Sequence, residues 1–210
     1  MKLLSHLLVS LLVLSLWACS GTKTESNQDT AEADEAPKTE EPAAAASDEG
    51  MSNDLYSVKV LKGDIPSPMK ELSASFGETE VKIVYGSPSV KGRELYGGLV
   101  PYGDVWRTGA NEATTFEAST DVEVGGKTLP AGKYGFFTIP GEGEWTLVFN
   151  SVSDQWGAYD YDADKDVLRV TATPAASDDM SETMEFMRTD ENTLAYHWGN
   201  LTVPFTVAAK

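Results

Sequence analysis

The chain has 210 residues, of which 41% are hydrophobic, with one cysteine, two histidines and a formal net charge of −17. Such acidity excludes nucleic acid and anionic lipid headgroups as electrostatic partners. A single cysteine excludes a disulfide within one copy.

In chain order, the first element is an export segment. Lys2 gives a positive start, Leu7 to Trp17 an apolar stretch broken only by Ser10 and Ser15, and Ala18 a small residue at the exit. These are the parts of a secretory signal. The apolar stretch is about half of what a bilayer-spanning helix needs. Leu16-Trp17-Ala18-Cys19 resembles the lipobox of bacterial lipoproteins, with Trp17 where a small residue is usual. The resemblance implies removal of residues 1–18, a thioether-linked diacylglycerol on Cys19 and membrane attachment through that lipid. Several buried acyl chains, at about 0.8 kcal/mol per methylene, hold a protein on a bilayer stably. Lipidation also consumes a thiol that would otherwise be exported unpaired.

Residues 19–54 read as an acidic disordered linker. Positions 20–54 carry ten acids against two bases, with Pro37, Pro42 and the run Ala43 to Ala46, and almost no large apolar side chain. Such a segment cannot offset the entropy of ordering. A flexible coil of this length spans on the order of 30–35 Å, which lifts the following domain clear of the membrane.

Residues 55–210 have the length of one domain and keep about −10 of the charge. Their apolar period is two. Val81, Ile83 and Tyr85 share a face, as do Val122 and Val124, and Trp145, Leu147 and Phe149. Leu168, Val170 and Ala172 repeat the pattern, followed by Leu194, Tyr196 and Trp198, then Leu201, Val203, Phe205 and Val207. Gly125-Gly126 reads as a two-residue hairpin turn. Pro140-Gly141-Glu142-Gly143 joins Tyr134–Ile139 to Trp145–Asn150, and Gly199-Asn200 joins the last two strands. Pro204 cannot donate to a ladder, which predicts an edge strand or a bulge there. Short strands with regular turns predict an all-β domain, an antiparallel β-sandwich or jelly-roll-like barrel.

Once the signal is removed, His197 is the one histidine. This excludes zinc sites with two or more His or Cys ligands, the two-histidine iron triad and Cys–His catalysis. No Gly-x-Ser-x-Gly elbow, phosphate loop or dinucleotide fingerprint occurs. No cofactor is expected, and an enzyme here would need carboxylates or a hard metal ion.

The segment from Gly92 to Thr114 is long for a connection between strands and mixes glycines, aromatics, two arginines and an amide. Ordered loops of this kind often carry function. Arg107 offers a planar fork for a carboxylate or phosphate, Asn111 a paired donor and acceptor, and Trp106 a stacking face. The alternative is a structural plug in which Arg107 pairs with an internal acid, Asn111 holds a turn and Trp106 packs. Asp160, Asp162, Asp164 and Asp166 alternate, but Lys165 and Thr171 stand where a calcium loop needs glycine and glutamate, so no metal site is assigned. A pair drawn from Glu112, Glu117 and Glu185 would suit glycoside hydrolysis.

The stretch from about Ser87 to Val207 resembles the DUF2911 family of mainly Bacteroidetes envelope proteins. The resemblance rests on Gly92-Arg93, Leu99-Val100-Pro101-Tyr102-Gly103 and Val105 to Thr114, then Gly126-Lys127, Ala131 to Tyr134 and Phe137 to Pro140. It continues through Trp145, Trp156 to Tyr161, Asp166 to Val170 and Trp198. It implies an envelope β domain and supplies no catalytic residue. The expected protein is a lipid-anchored outer-membrane lipoprotein with a noncatalytic domain binding a small polar ligand, glycan or protein partner. Trp106, Arg107, Asn111 and Glu112, with Tyr159 and His197, are its candidate ligand contacts. The alternative is an envelope hydrolase using carboxylates or a hard metal.

Overall fold

Residues 53–210 are described by a computed structural model. The signal peptide of 1–18, Cys19 and all of the 19–54 linker but its last two residues lie outside them. Alternating side chains build eleven strands: β1 Tyr56–Lys62, β2 Met69–Phe76, β3 Thr79–Gly86, β4 Thr114–Ala118, β5 Val122–Val124 and β6 Lys127–Leu129, then β7 Gly132–Ile139, β8 Trp145–Asn150, β9 Asp166–Ala172, β10 Ala175–Asp190 and β11 Thr193–Ala209. One short 3-10 turn covers Ala163–Lys165.

The strands form two antiparallel sheets, β1-β2-β3-β4-β7-β8-β9 and β10-β11-β5-β6. Neither closes on itself, so the fold is a β-sandwich and not a barrel. Between the sheets lie Ile83, Phe116, Phe136, Trp145 and Phe149 from the larger one, facing Phe186, Tyr196, Trp198 and Phe205 from the smaller. Phe136 stacks on Phe205 at 5.7 Å and meets Phe186 edge-on at 6.1 Å, so aromatic pairs span the gap.

The Gly125-Gly126 turn forms as read: both residues have positive φ (+54° and +77°) and Val124 pairs with Lys127. β11 is a continuous ladder by range, yet Val207 N donates to Asn192 O at 2.7 Å. A straight strand at about 3.3 Å per residue would hold those two atoms tens of ångströms apart. β11 therefore doubles back at Gly199-Asn200, where Gly199 has φ +63°. Pro204 lies in neither an edge strand nor a bulge. It falls between Thr202, the last residue paired with β10, and Val207, the first paired with β5, so its missing N–H costs no bond to either. β10 is an element the hydropathy pattern does not announce, because Ser177 to Glu182 is polar but for the exposed Met180. Only Met184 and Phe186 turn inward from it.

Candidate binding cleft

The β3–β4 connection, residues 87–113, starts by covering the free edge of β10. Ser89 bridges Thr183, Val90 N donates to Glu182 O and Met184 N to Pro88 O. It then plugs Leu95 and Val100 into the core and returns to β7, where Trp106 and Thr138 exchange backbone bonds of 2.8 and 2.9 Å. The Trp106 ring stacks on Trp198 at 5.8 Å and meets Tyr196 at 6.1 Å. Trp106 is thereby a packing residue of an aromatic group completed by Tyr96 and Trp145.

Beyond Trp106 the chain crosses the end of β3 at close range. Ala110 N donates to Gly86 O at 3.2 Å, and a methyl group at Gly86 would stand 2.1 Å from Ala110 O. Buried Thr108, at φ +54°, accepts on its carbonyl from Thr114 Oγ1 and donates its own hydroxyl to Thr138. Asn111 takes φ +65° and its carbonyl accepts from Gly157 N. Asn111 thus holds a turn, as the plug alternative requires. Arg107 does not follow that alternative: among the described residues it has no ion-pair partner, and its Nε is shielded without a hydrogen bond.

Glu112 is exposed. It bridges Trp156 in the β8–β9 loop, and the adjacent Ala113 N donates to Gln155 O. Together with Lys133, Ser153, Asp154 and Gln155, Glu112 lines a cleft of about 280 Å³ beside the ends of β3 and β4. This is at the small end of ligand sites. Gln155 is only 7% exposed. Its Nε2 donates to Val152 O at 2.7 Å, while its Oε1 is buried without a partner. Glu112, Asp154 and Lys133 have no ion-pair partner among the described residues. Lys133 lies opposite Glu117 of β4, which in turn lies opposite Lys82 of β3.

Trp156 is 59% exposed and Tyr159 83% exposed. Residues directly opposite in an antiparallel bridge share a face, so Trp156 stands beside Glu112 at the rim. Tyr159 folds back over Gly157, where a methyl group would meet its ring at 2.9 Å.

The six sequence candidates are thus divided. Glu112 lines the cleft, Asn111 and Tyr159 meet the adjoining β8–β9 loop at Gly157, Trp106 packs against the core, and Arg107 stands without an ion-pair partner among the described residues. His197 pairs with Glu185 across β10 and β11, on the face of β11 turned away from the inward Tyr196 and Trp198, and its Nε2 is shielded and unpartnered. Lys133, Asp154 and Gln155 also line the cleft and Trp156 lies beside Glu112, and sequence reasoning missed all four as candidates. The density of aromatics in Trp156 to Tyr161 is the signal that points to them.

The remaining acids are occupied or dispersed. Glu185 bonds Lys70, Tyr85 and Thr183, and burial with the adjacent Glu185 charge drives the Tyr85 phenol far above its ordinary value. Glu117 is exposed on β4. Asp162 caps the 3-10 turn by accepting from Asp164 N, and Asp166 binds Asn150, Tyr161 and Arg169. No three His, Cys, Asp or Glu side chains among the described residues converge on a metal position.

Residues 67–207 match the model of a family described as a protein of unknown function, DUF2911. No curated protein and no solved structure matches the chain.

Proposed function

The chain belongs to the DUF2911 family, and from that premise we propose that it is a lipid-tethered, noncatalytic envelope domain whose Glu112–Gln155 cleft captures a small polar ligand of the glycan type. The observation that carries this reading is the exposed Trp156, bridged to Glu112 beside a cleft whose Glu112, Asp154 and Lys133 have no ion-pair partner among the described residues. Its indole ring gives the apolar face on which sugar rings stack.

A panel of mono- and disaccharides is the test. A binder raises the unfolding temperature by mass action, and Trp156→Ala and Glu112→Gln abolish that rise while the unliganded protein still unfolds cooperatively. Absence of any shift across the panel overturns the reading. A second reading, a hydrolase, is favoured by Glu112 and Asp154 lining one open cleft; two-carboxylate hydrolysis requires such a pair at about 5–10 Å. Turnover of a chromogenic glycoside that vanishes in both Glu112→Gln and Asp154→Asn establishes it over capture.

A further inference from the structure

We infer that a groove separate from the cleft docks a basic, apolar segment of another protein. Two hollows of about 350 and 450 Å³ share Tyr96, Tyr102 and Leu201 and so form one groove. Leu95 and Met180 line one end of it, and Trp145 and the β7–β8 connection line the other. None of these residues lines the Glu112 cleft.

The walls are set before any partner arrives. Tyr96 meets Trp145 edge-on at 5.1 Å and Trp198 at 6.3 Å. Leu95 is buried against Gly199, where a methyl group would stand 2.8 Å from its Cδ1. The Tyr102 ring lies over Gly97, where a methyl group would meet it at 3.1 Å. Yet Tyr102 is 44% exposed and Met180 54%. Single exposed apolar side chains are ordinary, but two that line one apolar groove mark a contact surface. Side chains already held in place lose little freedom on binding, and a methionine at the edge adapts to the shape of its partner.

Charge selects the occupant. Glu142 and Glu144 line the groove, and the exposed Asp178 and Asp179 directly precede Met180. None of the four has an ion-pair partner among the described residues. No Lys or Arg lines the groove, whereas Lys133 lines the cleft, and Lys82 and Arg188 line the hollow beside β1. The acidity is therefore local as well as general. A second copy of the domain brings about −10, and positions 20–54 bring ten acids against two bases, so each meets the groove with like charge. A segment with Lys or Arg beside apolar side chains complements both the rim and the walls.

The experiment is selection of a displayed random-peptide library on the purified protein, followed by fluorescence anisotropy of the enriched peptides. Enriched sequences carry Lys or Arg beside Leu, Phe or Met, and their affinity falls as salt rises. Tyr102→Ser and Met180→Ser each weaken binding about tenfold or more. Glu142→Lys combined with Glu144→Lys does the same and removes most of the salt dependence. That charge reversal alters exposed side chains alone, so it decides the matter even where Tyr102→Ser fails to fold. Absence of enrichment, enrichment of acidic or uncharged sequences, or binding that ignores these variants overturns the inference. A dimer in sedimentation that Tyr102→Ser abolishes also overturns it, because a second copy then fills the groove. Sugars and peptides address different surfaces, so failure of either proposal leaves the other standing.

Discussion

At the scale of single residues, the cleft depends on two glycines, of which Gly109 lies in the Val105 to Thr114 motif and Gly86 in none. Gly86 and Gly109 let the returning loop press against the end of β3, and a methyl group at Gly109 would stand 2.9 Å from Gly86 O. Backbone cannot give way as a flexible side chain does. Gly86→Ala is therefore expected to cost about 3 kcal/mol or more, read from the midpoint of chemical unfolding, and to loosen Glu112 along with the loop. An unchanged midpoint would mean that the crossing relaxes freely. Trp106 shows the limit of reading a side chain by its chemistry alone. Its stacking face is real, but Trp198 already occupies it, a contact between residues far apart in the chain that no local pattern encodes. Asn111 was legible as a turn because asparagine tolerates the left-handed conformation it adopts.

At the scale of elements, one clasp and one loop decide the architecture around the cleft. The clasp joins the sheets: Lys70 of β2 and Tyr85 of β3 meet Glu185 of β10, and Phe186 N donates to the Tyr85 hydroxyl. Both ends of the Lys70–Glu185 pair are mostly buried, with side-chain exposures of 18% and 22%. Lys70→Met strands the Glu185 carboxylate and is expected to destabilise the domain by about 3 kcal/mol. Restoration by the double change Lys70→Met with Glu185→Leu distinguishes a stranded charge from simple loss of packing.

The loop from Ser151 to Lys165 is fastened by Asp166. Tyr161 donates to its carboxylate at 2.7 Å and accepts from Arg169 at 2.9 Å. Burial first, then the bond to Asp166, pushes the Tyr161 phenol up to about 12. A raised value means that the folded state holds the proton more tightly than the unfolded chain. Its contribution to stability is whole below about pH 10, the unfolded value, and is lost as pH rises toward 12. The unfolding temperature should therefore fall over that window, and Tyr161→Phe should flatten part of the fall. The alternation of Asp160 to Asp166 suggested one shared face if the segment were extended. The 3-10 turn at Ala163–Lys165 breaks that face, because Asp162 prefers to cap its own backbone.

At the scale of the whole molecule, the proposal is a division of labour between an address and a reader. In that proposal a lipid on Cys19 would supply the address and the acidic linker the reach. Cys19→Ser is expected to move the protein from the membrane to the soluble fraction of the host without altering its unfolding temperature. Retention on the membrane would exclude the thioether as the anchor. The sandwich supplies rigidity, since aromatic pairs join its sheets and β10, whose first half is mostly polar, is fastened along one edge by residues 87–91 and along the other by β11. Arg188 secures the point where the linker enters, donating to Leu55 O and Ser75 O and lying 4.3 Å over the Phe76 ring.

The sequence by itself determined the class of fold, the turns and the exclusions. Alternation, positive-φ glycines and missing histidines are local properties, written in neighbouring residues and independent of what lies across the core. It also carried the family, through a run of motifs spread along the domain. The tertiary structure alone decided which polar residues would meet. Glu112, Lys133, Asp154 and Gln155 come from three separate segments, and only strand pairing and the Gly86 crossing bring them to one cleft. β11's reversal at Gly199-Asn200 is the turn read from the sequence, but the partner switch at Pro204 and the meeting of residues at the cleft belong to the tertiary structure. Hydrogen bonds between distant backbones fix them, and those bonds leave no periodic trace in the chain.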